Sequence, residues 1–222
     1  MAEEQMGMAL NPETATWVKE AFGAKPTADY TKHLEYYKGT QNAQLTTRLR
    51  RILGGSDKNF NANHCEAIVD ALINRLEVLG FEAGAEGKEF SDWVNALWDD
   101  NRMDKAQVDT HRAAAIKGEA FIVVDWNGER PRLSLNQPEL IAPRYSQEDP
   151  DVMEMAAKQW KMGDRELLTL YYPDRIEKWE SRNATVWEQR LIEGEEWPID
   201  WMLDGEPIGV PIAHFRNQMD LS

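Results

Sequence analysis

The stretch MDKAQVDTHRAAAIKGEAFIVVDW, Met103 to Trp126, holds the residues best suited to chemistry: His111 and Glu119, near the junction of a helical run with a strand-like run. An imidazole beside a carboxylate is a familiar general acid–base pair, because histidine titrates near neutral pH and the carboxylate orients it. That chemistry requires the two side chains to converge. Here His111 falls on the inner face of an alanine-rich helix with Val108 and Ala115, while Glu119 opens a strand that points elsewhere. The junction therefore reads as a corner of a scaffold, with His111 a hydrogen-bonded core or interface residue.

The remaining candidates are weaker. His33, His64, His111 and His214 include no pair at the close helical spacing of a metal-ligand motif. Cys65 is the single cysteine, which excludes an intramolecular disulfide and a cysteine zinc site, and its place on an apolar stripe makes it a buried core residue. There is no G-x-S-x-G, dinucleotide fingerprint or phosphate loop. The basic cluster at Arg48 to Arg51 precedes Gly54-Gly55, a turn or hinge, without the Lys-Ser/Thr a phosphate loop needs, so it reads as a solvated helix face or a subunit contact. Asp99-Asp100 and Glu195-Glu196 read as solvated acids. No catalytic, cofactor-binding or metal-ligating residue is nominated, no cofactor is expected, and the protein is read as a non-enzyme.

Composition agrees with a folded, non-membrane chain. With 42% hydrophobic and 29% charged residues it lies within the globular range. The net charge of −14 is concentrated in the second half, where residues 81–222 carry 16 Lys+Arg against 29 Asp+Glu. Such a surface repels phosphates and argues against tight, sequence-specific DNA binding, while leaving DNA free to slide past. MAEEQMGMAL lacks a signal-peptide core, and the longest apolar run, Ala120 to Val124, is far below the ~20 residues of a membrane span, so a soluble intracellular protein is expected.

These residues must be positioned by helices first and a sheet second. Pro26-Thr27 opens a helix carrying Tyr30, Leu34 and Tyr37, and Gly39 closes it. A long helix is expected from Asn63 to Phe81: Asn63 and Glu66 form a capping box, Cys65, Ile68, Val69, Leu72, Ile73 and Leu76 form the stripe, and Gly80 supplies the stop, with Phe81 packing back on Leu76. Ser91 caps a shorter helix presenting Trp93, Leu97 and Trp98, and Asp104 with Gln107 caps the helix that Gly118 ends. The period then becomes two. Asn127-Gly128 predicts a two-residue type I′ hairpin turn joining the first strand to Arg132–Leu135, with Pro131 marking an edge. Further strands are expected at Leu140–Tyr145, Leu167–Tyr172, Arg175–Glu180 and Thr185–Leu191; Val152–Met162 fits a helix or a strand and is read as a strand, and the tail Gly209–Phe215 reads as a strand with few partners. Trp126, Trp179 and Trp187 read as core or subunit-interface anchors. The fold class is α+β, N-terminal helices followed by an antiparallel sheet or meander, split at 1–118 and 119–222.

In order, YYKG at Tyr36 to Gly39, NHCEAIVDALINRLEVLGF, NRMD at Asn101 to Asp104, AAAIKGEAFIVV, YYPDRIEKWE and GVPIAHFRN resemble the front half of the portal proteins of long-tailed bacteriophages, from Tyr30 to Asn217. The resemblance implies a wing region, helical over 1–118 and β over 119–222, of a structural virion protein. In that family a homo-oligomeric, dodecameric ring at the capsid vertex carries the double-stranded genome in packaging and ejection. Its partners are the major capsid and scaffolding proteins, the terminase and head-tail adaptors, with no membrane; the location is the virion, and the host cytoplasm during assembly. The resemblance also implies an N-terminal fragment without stem, clip and crown. Two other readings compete. A free-standing acidic interaction module would show one single-sign face on a complete fold, and an uncharacterised enzyme would show a pocket gathering His111 with a carboxylate.

Overall fold

The computed structural model describes residues 9–41, 51, 63–82, 84 and 87–217. Most of the basic cluster at Arg48 to Arg51 and the Gly54-Gly55 turn lie outside the described residues. The architecture is α+β: helices first, then an antiparallel sheet. Two compact units divide it, one from residues 1–25 and 121–213, the other from 26–120 and 214–222. Among the described residues no helix is long and apolar enough to cross a membrane.

The first unit is built on a six-stranded sheet. Its strands β3 (Ile141–Tyr145), β4 (Met153–Met162), β5 (Arg165–Tyr171), β6 (Arg175–Ser181) and β7 (Glu188–Gln189) follow in order, and β8 (Ile199–Asp200) also pairs with β6; every pairing is antiparallel. Side chains alternate across such a sheet, so each strand contributes to two faces. On one face Met155, Ala157, Leu168, Leu170 and Trp179 pack with Leu10 and with Val18 of helix α1 (Pro12–Gly23). On the other, Ala156, Tyr171 and Ile176 pack with Phe121 and Val123 of β1 (Glu119–Trp126) and with Ile212 of β11 (Ile212–Arg216). β9 (Met202–Leu203) and β10 (Glu206–Pro207) form a two-stranded antiparallel ribbon, and β1 lies between β11 and β2 (Pro131–Asn136) in a separate three-stranded sheet. β2 is thus an edge strand, and Pro131, opposite Trp126, is placed where its missing N–H is tolerated.

Several expectations change here. The hairpin loop is four residues, 127–130, and not a two-residue type I′ turn: the Asn127 side-chain oxygen accepts from the N–H groups of Glu129 (3.0 Å) and Arg130 (2.9 Å), an Asx turn that displaces the tighter alternative. Gly128 does sit at positive φ, +96°. The strand expected at Thr185–Leu191 shrinks to Glu188–Gln189, because Asn183 accepts from Thr185 and Val186 N–H groups and holds a turn there. The tail is not poorly partnered: β11 is a sheet neighbour of β1, Pro211 C=O accepts from Val124 N–H, and Ile212 is buried. Trp179 and Trp187 are buried as expected, whereas Trp126, at the strand's far end, is 57% exposed.

The second unit is helical. α2 (Thr27–Lys38), α3 (His64–Ile73), α4 (Lys88–Asp100) and α5 (Met103–Lys117) form it, and α2, α3 and α4 each contact α5. Asn63 caps α3, accepting from Glu66 N–H at 3.3 Å, as the capping box requires. The helix then stops at Ile73, short of Gly80. Side chains take over from the helical ladder: Gln107 accepts from Val78 N–H (2.8 Å), and Asn95 brackets Phe81, accepting from its N–H and donating to its C=O. Phe81 meets Trp98 edge-on at 5.2 Å between centroids instead of returning to Leu76. The apolar stripe of α3 is correspondingly open. Ile73 is buried, but Ile68 is 70% exposed, Leu72 and Leu76 are exposed, and Cys65 is an exposed free cysteine rather than a core residue.

Two caps also move. α4 begins at Lys88 after Gly87, so Ser91 lies inside the helix, its N–H on Gly87 C=O. α5 begins at Met103 behind Arg102, whose φ is +52°, and neither Asp104 nor Gln107 caps it. Its buried face is Met103, Gln107, Thr110 and Ala114, not Val108, His111 and Ala115. Polar residues can be buried there because they are satisfied: Gln107 by Val78 N–H, Thr110 by donating its hydroxyl to Ala106 C=O at 2.7 Å.

Gly39 ends α2 as expected, at φ +66°, with an added constraint: a Cβ there would stand 3.0 Å from Cβ of Asn63. Asn63 in turn donates to Tyr37 C=O at 2.7 Å. Gly39→Ala is expected to lower stability by about 1–3 kcal/mol through left-handed strain plus displacement of this cap, as read from the denaturation midpoint. A wild-type midpoint would show that the contact relaxes freely.

Candidate functional site

His111 and Glu119 are not joined by any hydrogen bond or ion pair. The His111 ring stands edge-on to Phe215 at 6.3 Å between centroids. Glu119 serves other partners: Tyr30 Oη–H of α2 donates to its Oε1, and His214 Nε2–H of β11 donates to its Oε2 at 3.0 Å. The His214 side chain is 7% exposed and Tyr30 is buried. His214 was visible in the sequence as a histidine, but its partner lies 95 residues away, and no local pattern links the two.

A carboxylate bonded to an imidazole and a phenol can pass protons, yet catalysis also needs a nucleophile or substrate at hydrogen-bond distance and room to hold it. Neither of the two cavities described below is lined by these residues. Their arrangement ties α2 and β11 to the first residue of β1. Nearby, Tyr37 Oη–H donates to Asp70 Oδ1 (3.0 Å), and Arg112 reaches the same oxygen at 3.7 Å, linking α2, α3 and α5. Burial, with Asp70 adding to it, holds the Tyr37 phenol above its ordinary pKa. Among the described residues, no group of three or more His, Cys, Asp or Glu is placed to hold a metal ion.

Two cavities open among the described residues of the first unit. The smaller, about 310 Å³, lies at Arg165, Glu180 and Arg182, where Arg165 and Glu180 already form an ion pair. The larger, about 790 Å³, is a groove on the sheet face opposite α1. Alternation sets its floor: Lys158 and Trp160 of β4, Thr169 and Tyr171 of β5, and Lys178 of β6 share that face through the pairings Lys158–Thr169 and Thr169–Lys178. Asp125 and Trp126, at the end of β1, and Trp201 complete the walls. Lys158 Nζ sits over the Trp160 ring, 5.2 Å from its centroid. Burial holds that ammonium below the ordinary lysine range, Asp125 partly opposing, and pushes the Tyr171 phenol well above its usual value. Sequence reasoning missed this groove because its residues come from six strands and the loops between them.

The chain belongs to the phage portal protein family of the SPP1 Gp6-like type, whose family model matches residues 25–221. No curated protein sequence matches it.

Proposed function

We propose that this chain forms the wing of a portal subunit, the outer part of a ring at one capsid vertex through which the genome is packaged and ejected. The carrying observation is the family match across residues 25–221, which takes in both the helical unit and the sheet. On this reading the helical part, 1–118, and the β part, 119–222, both belong to the wing. The ring is a homo-oligomer, dodecameric by resemblance. Its partners are capsid and scaffolding proteins, the terminase and head-tail adaptors, and double-stranded DNA passes without sequence-specific contact. The chain works in the virion, and in the host cytoplasm during assembly, and catalyses nothing itself.

Two observations support the reading. The exposed apolar side chains of the helical unit, Ile68, Leu72, Phe90 and Trp93 among them, are the kind of surface that marks a protein–protein contact. A net charge of −14 suits a wall that must not hold DNA. Electron microscopy of the protein expressed from its complete reading frame is expected to show closed rings with a central channel. Monodisperse monomers without rings, at the concentrations where capsids assemble, would overturn the assignment.

A further inference from the structure

We propose that the large groove of the first unit docks a peptide segment of a partner protein through one inserted carboxylate, with aromatic neighbours on its tryptophans and basic residues at its rim. This goes beyond ring membership, and its failure would leave the portal reading untouched.

Charge is sorted by depth in this groove. The cations Lys158, Lys178 and Arg190 are half-buried, whereas the carboxylates of Asp125, Glu195, Glu196 and Asp200 are exposed, with Arg132 also outside. A donor-bearing floor thus lies beneath an acidic rim. Lys178 is already satisfied, its ammonium 2.5 Å from Glu195. Lys158 and Arg190 form no ion pair with any described carboxylate, and the buried indole N–H of Trp201 has no acceptor. A half-buried ammonium without a contact ion pair, its burial only partly offset by Asp125, and a buried N–H without an acceptor are both costly. One ligand carboxylate at Lys158 would give that ammonium a contact partner, because it offers two acceptor oxygens and no donor.

The rest of the occupant follows from the walls. Trp160 and Trp126, the latter 57% exposed, offer flat apolar surface to aromatic or aliphatic neighbours of that carboxylate. The rim acids favour basic residues flanking it. A nucleic acid would satisfy the floor but meet repulsion from four rim carboxylates, so a peptide of mixed charge is the better match.

The test uses three end-blocked pentapeptides, KFEFK, KFQFK and EFKFE, titrated into the protein while the Trp201 indole N–H is followed by NMR. KFEFK is expected to shift that signal saturably, and KFQFK and EFKFE to bind roughly tenfold or more weakly, the size expected when a charge-assisted hydrogen bond is lost. Lys158→Met should weaken KFEFK binding by a similar factor with an unchanged melt. If that variant does not fold, Arg190→Gln takes its place with the same expectation. Failure of KFEFK to bind, equal binding of KFQFK, or undiminished binding by the folded variant would overturn the proposal. So would displacement of KFEFK by a single-stranded oligonucleotide at lower concentration, or movement of the same signal on diluting the protein alone, which would name a nucleic acid or a second copy as the occupant.

Discussion

Glu119→Leu is expected to lower the unfolding free energy by about 2–4 kcal/mol, because two buried donors lose one shared acceptor. The carboxylate takes the Tyr30 hydroxyl on one oxygen and His214 Nε2–H on the other, and both donors belong to side chains that water scarcely reaches. A leucine fills similar volume but accepts nothing. Tyr30→Phe removes only one of the two bonds and should cost about 1 kcal/mol. Urea denaturation of the two variants and the wild type measures the difference. A loss below about 0.5 kcal/mol for Glu119→Leu, the level of an ordinary surface substitution, would show that the cluster is ornamental. His111→Ala, by contrast, removes an edge-on ring contact and should cost less than either.

The largest expected loss is at Trp179. Its side chain is 2% exposed, stands at 90° to the Trp197 ring with centroids 5.1 Å apart, and lies in the cluster that joins α1 to the six-stranded sheet. Trp179→Ala leaves a cavity walled by Leu168, Trp187 and Trp197, and should cost about 3–5 kcal/mol. Trp126→Ala provides the contrast. That residue is exposed at the end of β1, and its removal should change stability by no more than about 0.5 kcal/mol. Equal melting temperatures for the two alanine variants would mean that the Trp179 cluster carries no special share of the stability.

Much of the framework was legible because its determinants are local. Gly39 and Gly118 end helices at positive φ, Asn63 and Glu66 cap α3, and the strand-like runs around β1, β5 and β6 do form strands. The errors share a physical origin. Where α3 was expected to continue, Gln107 and Asn95 supply hydrogen bonds from elsewhere in the chain and hold residues 78–81 out of the helix. Gln107 and Thr110 occupy the buried face of α5 because their polar groups are satisfied at that position, something hydrophobic periodicity does not register. The Asn127 side chain remodels a loop that the dipeptide Asn-Gly alone would have closed in two residues. The site was less legible than the fold. The His214–Glu119 pair and the groove around Lys158 each depend on strands brought together by topology, and spacing along the chain carries no trace of them.

The interrupted first unit has a consequence for the order of folding. α1 is made early, yet the strands it packs on follow only after the whole of 26–120. At ~5–20 residues per second, the apolar side of α1 would wait on the order of ten seconds before Leu168 and Trp179 leave the ribosome. The entropy of closing so long a loop grows only slowly with its length, by ~0.6 kcal/mol per doubling, so the finished protein is little burdened by the insertion. The nascent chain is. Val18 and its neighbours form a sticky helix with no sheet to meet, while α2 to α5 can already make their mutual contacts. Docking of α1 is therefore a late event of synthesis, and that interval is when a chaperone, or another nascent copy, has its best access to the chain.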